Sequence, residues 1–360
     1  CYCKSQFLQI FLAERLITMN RFLKNIVRFI LLHFLPLLLI LLAGYVYYDP
    51  FKVVHKFDAA GFRLSESVYV PVNNDYVSTE LFLQNYPTHQ YNSFIFGSSR
   101  SGSYFPSTWK KYLKETDMPF NFGAAAENLS GICNKLKFLE ARNVKLDNVI
   151  IILCRDWSFM DDFKFGRKHL FMKHPLVSGE NKLSYYGKYL DAYFDKKFLL
   201  AFYNYQFTHQ YKEWMSAVFM TKVVSRDLIT NEGHMVSLDS EIAANPAGYY
   251  QHKPNIFYKR PGEQIDTVIR ITDHYFSLLT EIKNILEKHH SAYKIVCSPL
   301  YDQIKYSSHD KQLLTGLFGA HLYDFTGKND LTEPATNYYE SSHYRPLVGD
   351  SVLSRIYQKN

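Results

Sequence analysis

Cysteine is scarce in this sequence and scattered where it occurs. Five cysteines are found in 360 residues, two of them at positions 1 and 3. Met19-Asn20-Arg21 reads as a natural start, which makes residues 1–18 an upstream extension and leaves Cys133, Cys154 and Cys297. Three well-separated cysteines exclude a disulfide framework. Cys154 and Cys297 end apolar runs and read as small buried residues rather than ligands. No Gly-rich phosphate loop is present. Apart from His343 the histidines show no spacing suited to a metal: His289 and His290 are adjacent, and two neighbouring rings cannot easily share one tetrahedral site. The formal charge of +7 is spread along the chain without a dense Lys/Arg tract, so no nucleic-acid partner is expected. Internal repeats are absent.

What the sequence does have is apolar and aromatic. Apolar residues make up 47% and aromatics 17%, with 29 Tyr and 28 Phe, enough for a large core. Residues 29–48 contain no Asp, Glu, Lys or Arg. Twenty such residues in a helix cover about 30 Å, the hydrocarbon thickness of a bilayer. Arg21, Lys24 and Arg28 precede the run, and positive flanks stay cytoplasmic, so the N-terminus is expected inside and the chain beyond Asp49 outside. A cleaved signal peptide is the rival reading. Tyr45, Tyr47 and Tyr48 make a poor small-residue cleavage site and a good interfacial aromatic belt. No Cys follows Leu42-Ala43-Gly44, which argues against a lipoprotein. The organisation expected is a cytoplasmic segment (1–28), an anchor (29–48), a stalk and entry segment (49–90) and one domain (91–360).

Within that domain strands and helices alternate. Phe94-Ile95-Phe96 runs into Gly97-Ser98-Ser99, the pattern of a buried strand ending in a small-residue turn. A helix over 108–115, a short strand over 119–123, a helix over 128–143 and a strand over 148–154 follow. Val149-Ile150-Ile151-Ile152-Leu153 suits a strand buried on both faces. This order predicts a parallel sheet flanked by helices. Residues 157–262 break the rhythm and read as an aromatic-rich insertion beside the sheet. Its Tyr and Trp residues suit either a sugar-binding wall or ordinary aromatic packing. The alternation resumes with a helix over 265–289, a strand over 293–297, a helix over 309–318, a strand over 321–325 and a terminal helix over 347–357.

Two short blocks carry candidate chemistry. Gly97-Ser98-Ser99 alone is equally a polar turn with a capping serine. Near the far end stands Glu340-Ser341-Ser342-His343. A serine is a weak nucleophile until a base takes its proton. Imidazole suits that task, and a carboxylate fixes its tautomer. One turn carrying Glu340 and His343 can supply both base and orienter.

With these blocks in view, the chain resembles the SGNH (GDSL-type) hydrolase superfamily. The likeness is to its membrane-anchored cell-envelope branch, which includes proteins that handle acyl groups on surface polysaccharides. It covers roughly residues 91–356, with the insertion unmatched. The resemblance implies a flavodoxin-like three-layer α/β/α sandwich with a mainly parallel sheet, preceded by one transmembrane helix, and a periplasmic domain on the inner membrane. It makes Ser99 the nucleophile rather than Ser98, His343 the base and Glu340 its partner, where the family usually has Asp. The backbone N–H groups of Ser99 and Gly123 become oxyanion donors. Beside these roles, Arg100 is a candidate for holding an anionic substrate or else a solvated or ion-paired surface residue, and Arg155 is a candidate substrate-binding cation or a substitute oxyanion donor. The family's third-block Asn is missing here, where the chain reads Cys154-Arg155-Asp156-Trp157. Asp156 reads as a loop anchor. The activity implied is that of a serine esterase or O-acyltransferase acting on acylated glycans or small esters, with no cofactor or metal required. The alternative is an inactive glycan-binding or assembly protein of the envelope.

Overall fold

The computed structural model describes residues 15, 18–55, 57, 68–161, 167–251 and 256–358. Cys1 and Cys3 lie outside these residues. The chain divides into two units, Cys1–Lys56 and Phe57–Asn360.

The first unit is dominated by one apolar helix, Thr18–Tyr48, of 31 residues. At 1.5 Å per residue it is about 46 Å long, more than the hydrocarbon core requires. It is long and apolar enough to cross a membrane. Pro36 has no N–H to donate back to residue 32, and the turn just before it, Ile30–Phe34, is widened to a π-helix. Asp49 ends the helix in a left-handed conformation. Its carboxylate accepts from the N–H groups of Val53, Val54 and His55 at 2.9–3.1 Å.

In the second unit five strands form one sheet: β1 (Ser93–Gly97), β2 (Pro119–Asn121), β3 (Asn148–Leu153), β4 (Ala292–Cys297) and β5 (Leu322–Asp324). The spatial order is β2-β1-β3-β4-β5 and every pairing is parallel. Gly97 pairs with Ile152 and Leu153 with Cys297, so the carboxyl ends of the three central strands are level. The apolar run of β3 is buried on both sides, as parallel strands covered by helices require.

Alternation along β1 divides the core. Phe94 and Phe96 face Phe82 of α1 (Asn74–His89) and Phe122, with Phe138 of α2 (Leu129–Glu140) packed on the same group. On the opposite face Ile95, Ile150, Ile152 and Val296 pack against Val348, Val352 and Leu353 of the C-terminal helix α7 (Pro346–Tyr357). The longer helices elsewhere are α3 (Lys182–Phe194), α4 (Lys196–Thr208), α5 (Asp273–Lys288) and α6 (Ser308–Phe318), with shorter ones at Pro175–Ser178, Val236–Ala244 and Pro246–Gln251 among the described residues.

Several expected boundaries shift, each for a local reason. The stalk and entry segment expected over 49–90 includes the whole of α1. Asn73 caps α1 by accepting from the N–H groups of Asp75 and Tyr76, and Val77, Leu81 and Phe82 are buried within the second unit. The helix expected over 108–115 is only Pro106–Trp109 followed by a 3₁₀ turn. The helix expected from 265 begins at Asp273; Ile269 fits its spacing but is exposed, and Gln264–Ile265 forms a short strand. In the insertion, Tyr185, Tyr189 and Tyr193 recur every fourth residue along α3 and are fully buried, which is core packing.

Candidate active site

The site begins where β1 ends. Gly97 has φ +152°, and a Cβ there would lie 2.9 Å from the Ile152 Cβ, so only glycine lets the chain turn this close to β3. Ser98 is still extended and buried, its Oγ 3.2 Å from the Cys154 Sγ. A 3₁₀ turn, Ser99–Ser103, then leaves Ser99 exposed. Its N–H opens that turn and has no intrahelical acceptor.

His343 arrives on a hairpin of β6 (Tyr338–Glu340) and β7 (His343–Tyr344), in which Glu340 pairs with His343. Tyrosines fix the hairpin over the sheet's carboxyl edge. The Tyr338 hydroxyl donates to the Pro299 carbonyl at 3.0 Å. The Ser298 hydroxyl donates to that of Tyr344 at 3.0 Å. The Ser103 hydroxyl donates to the Tyr344 carbonyl at 2.7 Å, tying the hairpin to the Ser99 turn. The His343 Nε2 consequently stands 2.8 Å from the Ser99 Oγ. Its Nδ1 is hydrogen-bonded to Glu340 Oε1, and Glu340 Oε2 accepts the Ser342 N–H at 2.6 Å.

Burial pushes the Glu340 carboxyl up, but its bonds with His343 and Ser342 and the nearby Lys222 outweigh this and hold it below its ordinary value. An ionised carboxylate only accepts. Nδ1 therefore carries the proton of the neutral imidazole, and the Nε2 lone pair faces the Ser99 hydroxyl. This is the geometry in which a hydroxyl can lose its proton to a ring nitrogen.

The other expected residues are placed differently. Arg100 is buried and braces the hairpin: its Nε donates to the Ser342 carbonyl at 2.7 Å, and its guanidinium meets Asp156 at 2.8 and 3.3 Å. Arg155 is buried against Asp266 and Asp302, the latter at 2.7 Å. Neither arginine lines the cleft beside Ser99. Asp156 also accepts from the Trp157 N–H at 2.9 Å, as a loop anchor does. Gly123 does line the cleft, but its N–H donates to the Asn121 Oδ1 at 2.9 Å. A Cβ at Gly123 would sit 1.9 Å from the Ser101 Oγ, so the backbone runs close to the serine turn.

The cleft has a volume of about 320 Å³ and includes both Ser99 and His343. The insertion contributes Leu170, Phe171, Met220, Val224 and Met235 to its wall, but none of its Tyr or Trp residues among the described lining. The Phe and Tyr rings that line the cleft are Phe171 of the insertion and Tyr69, Tyr339 and Tyr344 from outside it. The insertion also brings Arg226 and Asn231, and β2 brings Asn121. Nothing in the sequence singles out these three, because a two-residue strand (Ser225–Arg226), a loop position and a strand end carry no periodicity.

Neither family models nor curated proteins give a match to this sequence.

Proposed function

We propose that this chain is a membrane-anchored serine esterase or O-acyltransferase of the SGNH type, acting on acyl esters of cell-envelope glycans. The observation that carries the reading is the continuous Ser99–His343–Glu340 hydrogen-bond relay opening on a cleft. The strand order supports it. A 2-1-3-4-5 parallel sheet covered on both faces suits a flavodoxin-like three-layer sandwich, whose ligands bind beyond the strands' carboxyl ends. The apolar N-terminal helix, with Arg21, Lys24 and Arg28 on its leading side, supports a single-pass anchor with the N-terminus inside and the domain in the periplasm.

In this reaction the Ser99 Oγ attacks the ester carbonyl carbon and its proton passes to the His343 Nε2. Glu340 steadies the resulting imidazolium. The tetrahedral oxyanion is held by the Ser99 N–H. When the carbon–oxygen bond to the alcohol breaks, the leaving oxygen takes the proton back from Nε2. Water or a sugar hydroxyl then attacks the acyl-enzyme, loses its proton to Nε2, and the Ser99 oxygen leaves with that proton. A serine-reactive fluorophosphonate tests this on the full chain in detergent. Wild type is expected to label and Ser99→Ala not to; equal labelling of the two sinks the assignment.

One observation favours a second reading, an inactive glycan-binding or assembly protein. The Gly123 N–H is already bonded to Asn121, and the third block has no Asn to replace it. Loss of one oxyanion donor costs about 2.7–4 kcal/mol of transition-state stabilisation. On this reading no labelling occurs, and Ser99→Ala leaves the envelope phenotype of the organism intact.

A further inference from the structure

Among the described residues, the fully buried lysine and arginines meet carboxylates. Arg100 meets Asp156, Arg155 meets Asp266 and Asp302, and Lys135 meets Asp75 and Glu127. Arg226 is different. It lines the cleft that holds Ser99 and His343. One terminal nitrogen donates to the Asn231 Oδ1 and the other to the Asn74 Oδ1 at 2.8 Å. Both acceptors are neutral amide oxygens. Its Nε is shielded from solvent and has no hydrogen-bond partner. A guanidinium carries five N–H donors, so three have no acceptor among the described residues. No Asp or Glu occurs among the described lining residues, and Arg226 is their one permanent charge.

The charge persists at neutral pH, because burial lowers the Arg226 pKa only to about 10. Its position is also fixed. Asn231 donates to the Asn121 carbonyl at 2.6 Å, and Asn121 donates to the Ser101 carbonyl at 2.9 Å. An amide chain thus runs from the guanidinium to the turn that carries Ser99. A charge held in a largely apolar cleft, with no carboxylate among the described lining residues, is incompletely compensated. Guanidinium geometry matches planar or tetrahedral oxyanions.

We propose that Arg226 is an anion-binding subsite of this cleft, and that the ester attacked by Ser99 carries a carboxylate or phosphate which pairs with it. The identity of the ester rests on the esterase reading; the anion subsite does not.

The test uses the full chain in detergent and four chromogenic or coupled esters. These are 4-nitrophenyl hydrogen succinate, its neutral methyl ester, 4-acetoxyphenyl phosphate and phenyl acetate. The kcat/KM ratio of the carboxylate ester over its neutral counterpart, or of the phosphate over phenyl acetate, is expected to be about tenfold or more in wild type, the worth of one charge-assisted hydrogen bond. It is expected to fall to about one in Arg226→Met, to remain partly in Arg226→Lys, and to shrink with added salt. The favoured ester names the anion. Succinate and phenyl phosphate are also titrated calorimetrically into the Ser99→Ala protein, with and without Arg226→Met. Arg226-dependent binding without turnover in wild type keeps the subsite and removes the esterase reading. Turnover with no charge preference in wild type, together with no binding of either anion, overturns the subsite and keeps the esterase. If Arg226→Met does not fold, the wild-type charge preference decides the matter alone.

Discussion

Arg100 stands between the serine turn and the histidine hairpin, and replacing it tests whether the relay depends on that brace. Arg100→Met keeps an unbranched apolar stem and removes every N–H. The Ser342 carbonyl then loses a 2.7 Å donor in a partly buried setting, a cost of about 1–3 kcal/mol. Asp156 loses its cation as well, but its side chain is 34% exposed. Water takes over there, and the loss is closer to the roughly 1 kcal/mol of a surface pair. A destabilisation of about 2–4 kcal/mol follows from these two losses. The functional effect should be larger than this implies. Ser342 lies between Glu340 and His343 and donates its own N–H to Glu340, so freeing its carbonyl loosens base and orienter together. A misplacement of reacting groups by about 1 Å can cost about 100-fold in rate. The assay is the second-order rate constant of fluorophosphonate labelling, alongside thermal melting, for wild type, Arg100→Met and Arg100→Lys. Lysine keeps a charge near Asp156 but cannot reach two acceptors as a fork. Labelling about 100-fold slower in Arg100→Met, and intermediate in Arg100→Lys, is expected. A folded Arg100→Met protein that labels at the wild-type rate refutes the positioning role, whatever its melting temperature.

Two further predictions concern stability. Lys135 is wholly buried, and its ammonium meets Asp75 at 2.9 Å, Glu127, and the Phe122 carbonyl at 2.9 Å; Lys135→Met should cost up to about 3–5 kcal/mol in urea unfolding, because it leaves two buried carboxylates with Lys173 as their one remaining cation among the described residues. Adding Asp75→Asn and Glu127→Gln should recover most of that, and a single-variant loss under about 1 kcal/mol would contradict it. His169 is pushed down to about 4, by burial first and by Arg167 second. Its unfolded value is about 6.5, so between about pH 6.5 and 4 the unfolded chain binds more protons and stability falls as pH falls, by up to about 3 kcal/mol. His169→Gln should flatten the stability profile in that window and leave it unchanged above it; parallel profiles for wild type and variant would refute the assignment.

The parts of the site legible in the sequence are those whose geometry is local. Glu340 and His343 are three residues apart on a two-residue hairpin connection, so their spacing already contains their contact. The β1 ending is legible because Phe94-Ile95-Phe96 is apolar without a break and Gly97 then permits the turn. Ser99 and His343 are 244 residues apart, and no spacing rule joins them. What pairs them is topology, since parallel strands present their carboxyl ends on one edge. The arginines mark where topology alone stops being informative. Arg100, Arg155 and Arg226 look alike in sequence, each beside polar neighbours. Their partners lie 56 residues away for Arg100, 111 and 147 for Arg155, and 152 for one side of Arg226. The two that the sequence offers to a substrate are neutralised by carboxylates of the fold. The one it leaves unmarked lines the cleft and, among the described residues, donates to amide oxygens. An arginine's availability to a ligand is set by whether the fold has already supplied it with an anion. That is decided by which distant segments meet, here a two-residue strand, the first turn of α1 and the end of β2. A chain can therefore display a candidate nucleophile in sequence and conceal a cation that the fold leaves open to a ligand.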